Sequence, residues 1–207
     1  MDPADAQKLM SPRLWIRGRL PEEEAVPTFM KITAAASEKA RKLVPHTQNI
    51  RYGPGPKQLI DEYGTDLPKN APIVVFIHGG YWHCINKDDS AFMVEPMYEV
   101  GCRVFTIGYD LCPSVTVDEI VKQISDGTEY ILRYAAESGS KCLWFLGHSA
   151  GGHLVVRMAL DGILTKAFNG LDKQKELPVI GVMPFGGIFD LTPLIHTDLN
   201  KPLRLTG

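Results

Sequence analysis

Residues 72–77 read Pro-Ile-Val-Val-Phe-Ile, an unbroken apolar and β-branched run, and His78-Gly79-Gly80 follows at once. A strand with no polar face must be covered on both sides, which demands layers above and below the sheet. Cys102–Ile107 (CRVFTI) is another buried strand, and Cys142–Leu146 (CLWFL) is a further strand. Helical patterns separate them. Residues 88–100 read as a helix kinked at Pro96 and stopped by Gly101. Thr116 and Glu119 form a capping box ahead of a stripe that includes Val117, Ile120, Val121, Ile124, Ile131 and Leu132. Ala150–Leu160 is a helix closed by Asp161-Gly162, and residues 178–185 are a further strand. Strands alternating with helices predict an α/β protein with a mostly parallel sheet, helices on both faces and right-handed crossovers.

The rest of the chain is less regular. Residues 1–47 form an N-terminal helical and irregular segment, with helical patches at 4–10 and 28–43 around the breakers Pro12, Pro21 and Pro27. Ile50–Tyr52 and Gln58–Asp61 flank Gly53-Pro54-Gly55-Pro56 and read as two short strands around a turn. The α/β domain is expected over 48–207. A chain of 207 residues can bury a full core unaided. Twenty-two basic residues against 24 acidic ones give −2, with no basic excess to draw nucleic acid or anionic membrane. The four cysteines show neither CxxC nor metal-ligand spacing, so free thiols and no metal are expected. No window approaches a membrane span and no signal pattern opens the chain, which predicts a cytoplasmic protein.

Two constellations carry chemistry. Gly147-His148-Ser149-Ala150-Gly151 matches G-x-S-x-G between a strand and a helix, a sharp turn that lifts a serine hydroxyl above the strand ends. His78-Gly79-Gly80-Tyr81-Trp82 follows the PIVVFI strand, and a glycine pair there leaves backbone N–H groups able to bind a developing oxyanion. A third donor is the N–H of Ala150, the residue after the nucleophile. With 19 glycines in the chain, chance alone yields roughly 0.07 matches to G-x-S-x-G and about 0.05 to His-Gly-Gly. Their joint occurrence, each after a strand, is much rarer. His148 and His153 read as packing or orienting groups rather than the general base. For Tyr81 and Trp82, a core role and a role stacking against substrate both stand open.

These residues resemble the kynurenine formamidase (arylformamidase) family of the α/β-hydrolase fold. The resemblance rests on His78–Trp82, Lys87-Asp88, Ser90–Val94, Gly147–Gly151 with His153-Leu154, Gly108-Tyr109 with Pro113, and Gly187–Leu191. It implies a three-layer α/β-hydrolase fold and hydrolysis of N-formyl-L-kynurenine to L-kynurenine and formate, in tryptophan catabolism, without a cofactor. Ser149 becomes the nucleophile, the amides of Gly79, Gly80 and Ala150 the oxyanion hole, and Tyr81 and Trp82 neighbours of the aryl group. An aryl formamide is the implied partner, with a homodimer left open.

One departure accompanies the resemblance. The fold orders its triad Ser…Asp…His, and between Ser149 and Gly207 the sequence supplies only one strand and a loop. Asp190, His196 and Asp198 do not stand at the family's triad positions. The chain therefore reads as a C-terminally truncated form with its last strands missing, impaired for want of the triad Asp and His, and with an open edge along residues 178–185. A general carboxylesterase and a non-catalytic hydrolase-like binding protein are the alternatives.

Overall fold

The structure, a computed structural model, describes residues 2–162, 164 and 179–206. A six-stranded sheet runs in the order β1-β2-β4-β3-β5-β6, formed by β1 (His46–Arg51), β2 (Leu59–Tyr63), β3 (Ile73–Ile77), β4 (Arg103–Ile107), β5 (Cys142–His148) and β6 (Val179–Phe185). The last four are parallel to one another and the first two antiparallel, so the expected mostly parallel sheet is present. All five residues of β3 are buried, as its unbroken apolar run requires, and all five of β4 are buried too, Arg103 and Thr106 among them.

The pleat sends alternate residues to opposite layers. One layer holds α4 (Val117–Ser138) and α5 (Ala150–Leu160) against Ile73, Val75, Ile77, Phe105, Ile107, Leu143 and Phe145. The capping box forms as its residue types predict: the Thr116 hydroxyl takes the Glu119 N–H, and the Glu119 carboxylate takes the Thr116 N–H. Ile120, Ile124, Ile131 and Leu132 are fully enclosed, each contributing about 2 kcal/mol by removal from water. Gly139 ends α4 in the left-handed region at φ 75°.

The other layer holds α2 (Glu22–Leu43) and α3 (Val94–Glu99), whose Ala40 and Val94 pack with Val44, Tyr63, Ala91 and Val104. Two expectations are corrected here. Helix α2 starts at Glu22 and runs through Pro27, so the predicted break is absent. Pro27 lies early in the helix, where only one intrahelical bond is forfeited. The helix expected over 88–100 is shorter: Asn86 Oδ1 caps a single turn at Lys87–Asp89, and α3 begins at Val94. Pro96 then falls in the first turn, where its missing N–H would have no partner anyway, so it begins a helix rather than kinking one.

Lys87 Nζ pairs with the buried carboxylate of Asp61 in β2 at 2.8 Å, and Arg103 Nε of β4 with Glu62 at 3.2 Å. Cys102 and Cys142 stand half-buried at the strand starts rather than deep in the core. On the face of β5 and β6 turned from α5, Trp144, Met183 and Phe185 are exposed. The N-terminal α1 (Pro3–Leu9) packs against the turn Thr192–His196, with Ala6 enclosed. Among the described residues no helix is long and apolar enough to cross a membrane.

Candidate active site

The register of β3 against β5 decides the geometry. Ile77 lies opposite Gly147, so two residues further along Gly79 comes beside Ser149. A Cβ added to Gly79 would stand 3.0 Å from the Ser149 Cβ and 2.7 Å from the His148 carbonyl oxygen. The sheet thus brings the two sequence motifs into contact at the carboxyl ends of its strands, where open parallel sheets place their ligand crevices.

Ser149 occupies the N-cap of α5 at φ 55°, ψ −117°. For a residue with a Cβ this is strained backbone, worth about 1–3 kcal/mol, and it is the turn that presents the side chain above the strand. Its N–H donates to the Phe185 carbonyl of β6 at 2.8 Å, and its carbonyl accepts from the His153 N–H. The flanking glycines are required by close backbone approach. A Cβ on Gly147 would come within 2.1 Å of the Gly151 oxygen, and one on Gly151 within 2.1 Å of the Ile77 oxygen. The Ala150 N–H is a first-turn amide of α5 with no intrahelical acceptor.

After β3 the chain turns tightly. Gly80 has φ +104°, and a Cβ there would meet the Cys84 oxygen at 2.0 Å. Tyr81 and Trp82 follow at φ 46° and 58°, while the N–H groups of His83 and Cys84 both donate to the Gly80 carbonyl. The His78 ring stacks on Tyr109 with centroids 4.1 Å apart, and its Nδ1 lies 2.9 Å from the Gly79 carbonyl oxygen. Burial pushes the His78 imidazole down to about 4, so it is neutral near pH 7. A neutral ring facing a carbonyl through Nδ1 carries its proton there, leaving Nε2 as the bare acceptor. On the β4 side of His78 a cavity of about 240 Å³ opens between Tyr109, Asn86, Lys87 and Lys57, backing the turn rather than facing the serine.

The two aromatics of the motif part company. Trp82 is fully enclosed, edge-on to His153 with centroids 5.2 Å apart, and so takes the core role; it has no surface to stack on a ligand. Tyr81 is half-buried, and its hydroxyl donates to the Met10 carbonyl at 2.7 Å, which brings the N-terminal segment beside the turn.

No imidazole nitrogen among the described residues hydrogen-bonds the Ser149 hydroxyl. His148 is half-buried with its ring 5.8 Å from that of Phe29, and burial lowers its pKa. His153 is lowered to about 4 by burial and then by Arg157, and its Nδ1 has no partner. His196 is exposed at the end of its turn. Asp190 receives the Thr192 N–H, and Asp198 pairs with Lys201 at 2.8 Å. Among the described residues no group of three His, Cys, Asp or Glu could hold a metal ion. Sequence reasoning missed Tyr109 as a member of this site. Its only signal was its position directly after β4, in Gly108-Tyr109.

Comparison with known proteins bears on this geometry. Residues 63–204 match the BD-FAE family model. The kynurenine formamidase of Salmo salar is 29% identical over the whole chain, which covers 67% of that protein. The kynurenine formamidase of Drosophila melanogaster is 31% identical over 77% of the chain and 51% of its own length. The chain thus spans between half and two thirds of the length of these relatives. A solved structure from Silicibacter, provisionally described as a thioesterase, is 30% identical with a TM-score of 0.70, covering 98% of this chain and 70% of that one. Esterase B of Lactobacillus rhamnosis, 20% identical with a TM-score of 0.53 over 80% of this chain and 56% of its own, shares the fold. The chain belongs to the BD-FAE family and is a kynurenine formamidase-like protein of the α/β-hydrolase fold.

Proposed function

We propose that the chain carries the serine hydrolase site of a kynurenine formamidase, acting on N-formyl-L-kynurenine or a related aryl formamide. The observation that carries this reading is the contact between Gly79 and Ser149, which sets a strained serine against a turn of free amides. Ser149 Oγ bonds to the formyl carbon, and the carbonyl oxygen takes the displaced electron pair as an oxyanion. The N–H groups of Gly79, Gly80 and Ala150 stabilise that charge. Collapse expels the aryl amine, whose nitrogen takes up a proton, and water then releases formate from the serine ester. The half-exposed Tyr81 borders the aryl group, a place Trp82 does not share. No cofactor enters this chemistry.

The serine proton needs a base, and none of the described histidines is placed to take it. Loss of a triad histidine elsewhere costs about 2 × 10⁶ in kcat. The 207-residue chain assayed alone is therefore expected to turn over aryl formamides only slowly, so its nucleophile is better tested by capture. Phenylboronic acid, with buffer taking the serine proton as the anionic adduct forms, should give a tetrahedral ¹¹B signal on the wild-type chain and none on Ser149→Ala. An equal signal from both would remove Ser149 from the site. A second reading, a carboxylesterase, is favoured by the esterase structures that share the fold. Comparing formylated anilines with short-chain aryl esters decides between them, since the formamidase reading requires the formamides to react faster.

A further inference from the structure

We infer that Tyr109 is a positioning residue whose buried hydroxyl turns the two glycine amides toward Ser149. This rests on the reading of Gly79 and Gly80 as oxyanion donors. In the sheet order β4 and β5 flank β3 on opposite sides, so Tyr109 leaves the sheet on one side of the glycine turn and Ser149 on the other. The Tyr109 hydroxyl donates to the His78 carbonyl at 2.9 Å and reaches the Gly79 carbonyl at 3.5 Å. The Gly79 carbonyl is also held by His78 Nδ1. Both carbonyls are thereby held, and the His78 oxygen also lies against Gly151 of α5.

In a trans peptide the C=O and N–H point in opposite directions. Fixing the His78 and Gly79 carbonyls therefore fixes the N–H groups of Gly79 and Gly80, on a turn whose first glycine lies beside Ser149. Neither N–H is taken by another group among the described residues. Glycine at both positions widens the conformations open to these peptide planes, so a donor from outside the turn adds to what the contact of Gly80 with Cys84 fixes. Tyr109 is suited to this. It is fully enclosed, and burial holds its phenol well above the ordinary range, so it remains a donor at any working pH. Its neighbour Asp110 is clamped to α4 in both directions by Gln123, which anchors the tyrosine to a rigid helix.

The test is Tyr109→Phe, which keeps the ring stack on His78 and deletes only the donor. A single preorganised oxyanion donor is worth about 10²–10³ in rate; loosening two by removing their support should weaken the phenylboronate adduct of Ser149 about 10- to 100-fold. Acetanilide, which forms no tetrahedral adduct, should bind as to wild type. Tyr134→Phe removes another tyrosine hydroxyl, one bonded to Glu62 and remote from the turn, and should leave the adduct unchanged. An unweakened adduct in Tyr109→Phe, or an equal loss of acetanilide affinity, overturns the proposal. If the wild-type chain forms no adduct, the nucleophile reading fails by itself, and amide NMR decides the role of Tyr109. The Gly79 and Gly80 amide signals must then shift or broaden in Tyr109→Phe but not in Tyr134→Phe. Unmoved glycine signals overturn it.

Discussion

The turn after β5 and the turn after β3 both force residues with side chains to positive φ, Ser149 in the first and Tyr81 with Trp82 in the second. They are held by different means. The β5 turn is fixed by backbone against backbone: Gly147 touches Gly151, and Gly151 touches Ile77 and His78, leaving no room for a methyl group. The β3 turn is fixed partly by side chains brought from elsewhere, the Tyr109 hydroxyl from beyond β4 and the Tyr81 hydroxyl bound to the Met10 carbonyl of the N-terminal segment. Steric confinement against backbone fixes the first turn, whereas the second adds side-chain tethers to the contact of Gly80 with the Cys84 carbonyl. On the proposed reading the first construction aims the nucleophile and the second aims the oxyanion donors.

The sharpest way to break the contrast is to add one methyl group to the confined turn. Gly151→Ala would drive a Cβ into two backbone oxygens, at 2.1 and 2.6 Å, that cannot rotate away. A loss of about 3–5 kcal/mol in denaturant-derived stability is expected, at the severe end for a single substitution. A loss below about 1 kcal/mol would mean that the turn gives way and is not confined.

Acid should strike both regions. His78 supports the β3 turn and His153 lies on the helix after the β5 turn, and each is pushed down to about 4 by burial. In the unfolded chain both rings titrate near the ordinary value of 6.5, so between about 6.5 and 4 that chain holds more protons than the folded one. Stability from the two histidines is complete above 6.5 and falls as pH drops toward 4, by up to about 1.4 kcal/mol per pH unit for each. Urea midpoints measured across this range would show the slope. His153→Phe should roughly halve it, and an unchanged slope would mean that His153 is not buried neutral.

Relieving strain should have a smaller effect, of opposite sign. Ser149→Gly accepts φ 55°, ψ −117° freely and should raise thermal stability by about 1–2 kcal/mol, while Ser149→Ala should not. Equal stabilisation by both would place the cost in the hydroxyl rather than in the backbone.

The β5 turn was legible in the sequence because part of its constraint is local. Gly147 meets the backbone of Gly151 four residues on, within the motif itself, while the need for Gly151 comes from Ile77 and His78 across the sheet. Strand β3 was legible for a related reason, since no polar face leaves only one kind of environment, whereas the equally apolar start of β5 leaves Trp144 exposed. Tyr109 was not legible as part of the site, because its role depends on β4 lying beside β3 and on which side Ser149 emerges. Trp82 was ambiguous for want of the same knowledge: an aromatic after a glycine pair can face substrate or core, and the tight turn at positive φ sends it inward. Helix α2 crosses a predicted breaker because Pro27 lies early in it, where it forfeits a single intrahelical bond.

Smallest of all is the control on glycine itself. Gly139 has φ 75° but nothing within 4 Å of the place a methyl group would take, so Gly139→Ala should cost only about 1 kcal/mol, from conformation alone. The gap between this value and that of Gly151→Ala measures confinement directly. If the two substitutions cost the same, confinement adds nothing to conformation.

The pairing of Ile77 with Gly147 also limits how the length of this chain can vary. One residue added within β3 or β5 would slide Gly79 about 3.3 Å past Ser149 and turn every later side chain of that strand to the opposite layer. Insertions and deletions in a collection of length variants should therefore be purged from both strands, while point changes there survive wherever volume is kept. The turn at Gly53–Gln58 and the stretch between α3 and β4 do not set this alignment and should tolerate changes of length. For these two strands, residue count is under tighter control than residue identity.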